Sequence, residues 1–327
     1  MKDKYFTQIE ILTNEILKDK INICDYTHYD QSNEFQYVFD YLSLSFSSQS
    51  QKYKIRNPLL FYSNYDSLNA CAIKSDHYNI IVFNRGLILN LINEILENDN
   101  LIEFNTVFKN TEEYLNIKIE RLIFQFTILF TFYHEFAHLL QNNHTDINMS
   151  EETSKIQKEE IKDSHYKELD ADAYSAVHLA RHIDEYCVKS FEKSKIKESI
   201  IGITAVFCSN LLFYLLRFPS AKKDLYFEDN THPHTYIRIL NIISNIARYI
   251  TADINLIDLE IHITKEDLFE PMFNEVNRLE AIYDNKLNSF RKIVDEQIEE
   301  IIAYITLISK NKPANINSAI EVYNSHI

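Results

Sequence analysis

The sequence predicts a mainly helical α+β fold with one small sheet. Three observations lead there. Glycine occurs only at Gly86 and Gly202 in 327 residues, so tight hairpins and left-handed turns must be few. Long stretches repeat apolar residues at the spacing that a helix buries on one face. One short run, Ile80-Ile81-Val82-Phe83, is β-branched and aromatic, and is bounded by Asn79 and by Asn84-Arg85-Gly86, as a strand should be.

Taken in order, residues 1–55 have helix-like spacing and form an N-terminal helical extension. The polar stretch Ser47-Ser48-Gln49-Ser50-Gln51 is expected to be a linker or loop. Residues 56–255 are expected to form the core. Within it, 60–84 look extended, and Leu87–Leu96 return to helical spacing. Glu112–Leu140 predict one long helix, apolar around its circumference in its second half and hence buried. A charged connection over 145–166 leads to a helix over Lys167–Tyr186. Tyr236–Ile250 predict another. Residues 256–327 form a C-terminal helical appendage, amphipathic over 265–309, with a loose tail after Lys312-Pro313.

Composition narrows the function. The formal net charge is −15, so the chain repels phosphate backbones and nucleic acid is not expected as a partner. Cys24, Cys71, Cys187 and Cys208 are scattered and read as reduced thiols. Met1-Lys2-Asp3-Lys4 leads into a mixed polar segment, so a cytoplasmic protein is expected. Residues 200–216 are strongly apolar but interrupted by Gly202, Thr204, Ser209 and Asn210. A membrane-spanning helix needs about 20 apolar residues, so a buried core helix is favoured over membrane contact.

Residues 134–138 read His-Glu-Phe-Ala-His. On a helix, His134 and His138 share one face and can reach a single ion. Glu135 sits beside the first of them and can act on water without ligating the metal, which is the H-E-x-x-H logic of zinc peptidases. Chance alone yields roughly 0.04 such motifs in a chain of this composition, so context has to confirm it. The motif ends an apolar helix, where three ionisable side chains need a reason. Catalytic zinc commonly takes three protein ligands plus water. Glu168 and Asp172 lie four apart, so Glu168 can supply the third ligand and Asp172 can orient a ligand histidine. Acidic residues favoured at a helix start are the blander explanation. His144 is a competing third ligand, but its pattern calls for a glycine where this chain has Gln141. His178 and His182 are read as surface histidines, with a second metal site as the alternative.

Four blocks together resemble the gluzincin peptidases related to the heat-shock protease HtpX and the CAAX prenyl endopeptidase, and are similar to the phage-exclusion peptidases typified by Lit. They are Asn69-Ala70-Cys71-Ala72; Val82 to Leu87; the two metal helices; and Thr231-His232-Pro233 with Arg238. The resemblance implies a zincin-like metallopeptidase core holding one zinc per chain. It also implies a protein or peptide substrate lying along a strand that contains Ala70, Cys71 and Ala72, with His232 and Arg238 near the reacting carbonyl. The expected activity is endopeptidic hydrolysis of an intracellular protein, with Glu135 as general base. A zinc-bound regulatory protein without catalysis and a membrane-associated peptidase are the alternatives.

Overall fold

The computed structural model describes residues 2–11, 13, 22–75, 77–99, 101, 118–141, 158–217, 224–282 and 288–326. Helices α1 (Lys2–Ile11) and α2 (Ser32–Tyr53) precede strands β1 (Pro58–Ser63), β2 (Ala70–Lys74) and β3 (Asn79–Asn84). Helix α3 (Arg85–Leu91) runs into a π-helical turn at Ile92–Leu96. Then follow α4 (Ile119–Leu140), α5 (Lys158–Ser190), α6 (Lys193–Leu215), α7 (Thr235–Ala252), α8 (Ile254–Asp258), α9 (Lys265–Ile282), α10 (Asn288–Lys310) and α11 (Ala319–Asn324). The mainly helical α+β expectation holds. The start expected for the long helix, the first part of the charged connection, and His144 lie outside the described residues.

The sheet order is β1-β3-β2, with β1 parallel and β2 antiparallel to β3, so β2 is an edge strand. Asn84 ties its end together: its Oδ1 accepts from Ser63 Oγ at 2.5 Å and its Nδ2 donates to Ser67 Oγ at 2.7 Å. Two residues on, a Cβ on Gly86 would meet the Asp66 carbonyl oxygen at 2.0 Å. Only glycine lets the backbones approach this closely.

Three expectations about the elements need correction. Residues 158–166 are not a connection but the first turns of α5, which begins at Lys158 and buries His165 and Tyr166. Ser47–Gln51 are not a loop, because α2 runs through them. Serine is a poor helix former, but packing on either side overrides propensity. Phe46 meets Phe132 and Phe136 edge-on at 5.8 and 5.9 Å, and Tyr53 leans on Phe136 at 5.8 Å. Nor is the stretch after Pro313 a loose tail. Ser318 caps α11, and Ala319 and Tyr323 are buried.

Helix α4 lies at the centre, against α5, α6 and β2, and α5 packs along α7. Its buried threonine hydroxyls are satisfied within the helix: Thr127 and Thr131 donate to the carbonyls of Ile123 and Thr127 at 2.9 and 3.0 Å. Among the described residues α6 is the one helix long and apolar enough to cross a membrane, and 72% of its apolar window is buried against the rest of the chain. Helix α9 packs along it.

Where α5 meets the start of α8, the buried carboxyl group of Asp184 faces that of Asp253. Asp253 caps α8, accepting from the Asn255 and Leu256 amides at 2.8 and 3.3 Å. Burial, reinforced by the charge of Asp253, pushes Asp184 up to about 7. A carboxyl whose folded pKa is raised contributes stability at low pH that is lost as pH climbs through the folded value. Asp184→Asn, neutral at every pH, should therefore gain Tm relative to the parent, by about 2 °C or more, between about pH 5 and pH 8. Calorimetry at both values checks this; an unchanged Tm difference refutes it.

Candidate metal centre

Helices α4 and α5 pack against each other, and each buries a small side chain, Ala137 and Ala171. That packing sets His134 and His138 of one helix against Glu168 and Asp172 of the other. Among the described residues, His134, His138 and Glu168 form the one group of three donors within common reach of an ion. The two Nε2 atoms are 3.2 Å apart, His134 Nε2 is 3.4 Å from Glu168 Oε2, and His138 Nε2 is 3.5 Å from Glu168 Oε1. A tetrahedral zinc with bonds of about 2.0–2.1 Å needs neighbouring donors about 3.3–3.4 Å apart. The three separations, with the carboxylate meeting the imidazoles through a different oxygen each, bracket that length. Two imidazoles and a carboxylate on rigid helices, only 8–9% exposed for His134 and Glu168, therefore suit zinc in donor type and spacing.

Electrostatics ties the group together. His134 Nδ1 lies 3.0 Å from Asp172 Oδ1, out of line for a straight hydrogen bond. Burial alone would lower the His134 pKa, but the carboxylates of Asp172 and Glu168 outweigh it and push it up to about 10. Burial would raise Glu168, yet the His232 and His134 imidazoles hold it well below the usual carboxylate range. Asp172, fully buried, is likewise held low against burial by Arg238. That guanidinium grips it twice, Nε to Oδ2 and Nη2 to Oδ1, both at 2.8 Å.

His134, His138 and Glu168 face a cavity of about 640 Å³. Glu135 lines it next to His134, only 8% exposed. Ala70, Cys71 and Ala72 of β2 form one wall, so the strand expected to carry substrate borders the metal group. Burial, then the charge of Glu135, raises the Cys71 thiol to about 12, leaving it an un-ionised wall residue. His232 sits at the mouth, its side chain 59% exposed and its Nε2 3.8 Å from Glu168 Oε1. His165 fixes the loop bearing it, with Nε2 2.7 Å from the Asn230 carbonyl and Nδ1 2.7 Å from the Tyr304 hydroxyl. Arg238 also lines the cavity, but two of its nitrogens are committed to Asp172.

His178 departs from the surface position expected of it. It is fully buried, stacked on Tyr133 at 4.3 Å and tilted against Tyr174 at 4.5 Å. Burial drives its pKa well down, so it packs as a neutral aromatic. Sequence reasoning missed other wall residues. Tyr214 lies within an apolar run that signals only core, and Ile316 lies in the stretch read as a tail.

The family model described as Peptidase U49 matches residues 96–254, which carry every residue of the metal group together with Glu135, Asp172, His232 and Arg238. The match suggests a peptidase. No curated protein and no solved structure matches the chain.

Removing the Arg238 guanidinium would leave Asp172 buried without its two-pronged partner, with His134 alone facing it. Arg238→Met should cost about 3–5 kcal/mol in denaturant unfolding of the metal-free protein. A cost under about 1 kcal/mol would mean that the pair contributes little.

Proposed function

We propose that this chain is a zinc-dependent endopeptidase of the Lit-type, gluzincin kind, hydrolysing peptide bonds of a cytoplasmic protein. One observation carries the reading: His134, His138 and Glu168 converge at zinc-ligand spacing, with Glu135 in the same cavity. The match to a peptidase family model supports it.

Zinc held there would acidify a water molecule and withdraw charge from a peptide carbonyl. The chain's own residues do the rest. Glu135 takes a proton from the attacking water and delivers it to the leaving nitrogen as the C–N bond breaks. His232, exposed at the mouth, donates towards the carbonyl oxygen as negative charge gathers on it. Arg238 acts one step back, holding Asp172 ionised so that His134 keeps its orientation. A substrate occupying the cavity runs along β2, whose Ala70 and Ala72 leave room for its side chains. The parallel with phage-exclusion peptidases makes a narrow host-protein target the substrate class to seek.

Glu135→Gln should keep zinc while losing at least about 100-fold in hydrolysis. New protein N-termini in cells expressing the parent should vanish in cells expressing this variant. An identical set of cleavages in both would refute Glu135 as base. His138→Ala should fall well below one zinc per chain by elemental analysis; a full complement of metal would refute the ligand set.

A further inference from the structure

We propose that Gln141 is a positioning residue for His138, and that residues 318–320 hold it in place through Asp170. The proposal rests on the metal reading above and deepens it. His134 Nδ1 faces Asp172 at 3.0 Å, and His138 needs a support of its own. His138 Nδ1 lies 2.9 Å from Gln141 Oε1. The orientation of that amide is fixed at its other end. Gln141 Nε2 donates to the Lys167 carbonyl and to Asp170 Oδ2, both at 2.9 Å. A flipped amide would set its oxygen against two acceptors, so Oε1 must face the imidazole. His138 therefore carries its proton on Nδ1, leaving the Nε2 lone pair aimed at Glu168 and His134.

Asp170 is the anchor of this arrangement and is itself held from far along the chain. It is only 7% exposed. Ser318 Oγ and the Ala319 amide donate to it, each at 2.6 Å, and the Ile320 amide lies at 3.4 Å. Without these donors Asp170 would be a nearly buried carboxylate with Gln141 as its remaining partner here, and the amide would lose its reference point. The same segment reaches the cavity, where Asn315 and Ile316 form part of the wall. Residues beyond α10 thus set the tautomer of one metal ligand and shape the space beside it.

Zinc affinity of the full chain, titrated against a competing chelator, tests the link. Gln141→Met keeps length and loses the acceptor; Asp170→Asn keeps shape and weakens the anchor. Each should bind zinc about 10–100-fold more weakly than the parent, since outer partners of ligand histidines typically carry that much. The double variant should be no weaker than the weaker single one, because the two residues act in series. In the metal-free protein, the ¹⁵N shifts of His138 should report the Nδ1–H form in the parent and a tautomer mixture in Gln141→Met. A folded Gln141→Met with zinc affinity within about twofold of the parent overturns the proposal, as do losses that simply add. If Gln141→Met does not fold, unchanged affinity in Asp170→Asn overturns it instead. A parent that binds no zinc overturns both this and the metal reading. A parent that binds zinc but cleaves nothing defeats the endopeptidase reading alone, because the proposal is judged on affinity and tautomer.

Discussion

Everything at the candidate site depends on charge compensation in the seam between α4 and α5. Both helices are buried there, and a lone ionised side chain in such a place costs several kcal/mol. His134, Glu168, Asp172 and Arg238 are tolerated because each faces an opposite charge. Asp172 can sit at zero exposure because a guanidinium forks it, with both contacts at 2.8 Å. Only then can His134 lean on it. The donor geometry follows from the packing of the same two helices.

This arrangement recruits distant parts of the fold. Helix α7 brings Arg238. His165 pins the His232 loop and at its other nitrogen meets Tyr304 of α10. The stretch beyond α10 reaches Asp170. Side-chain hydrogen bonds, rather than further apolar contacts, determine where the ligands point. Each such bond is worth only about 0.5–1.5 kcal/mol net, or more with a charged partner, but leaving its buried partner unmet costs more.

The sequence revealed what is local and left hidden what is not. His134, Glu135 and His138 are legible because helical spacing alone puts them together, and Glu168 with Asp172 for the same reason. The strand at 79–84 is legible from its β-branched run. Gln141 looked like a mere departure from a glycine pattern, because its partners are Lys167 and Asp170, 26 and 29 residues away. Ser47–Gln51 read as a loop because serine is a weak helix former, whereas Phe46 and Tyr53 are held by aromatic rings from other helices. His178 read as a surface residue because helical spacing does not announce a box of tyrosines.

The bond from Ser318 to Asp170 joins residues 148 apart in sequence. A ribosome adding about 5–20 residues per second reaches Ser318 some 7–30 s after Asp170. Throughout that interval both imidazoles are already made, while the clamp on His138 is incomplete. Over that interval the nascent chain carries His138 and Gln141 without the donors that Ser318 and Ala319 give Asp170.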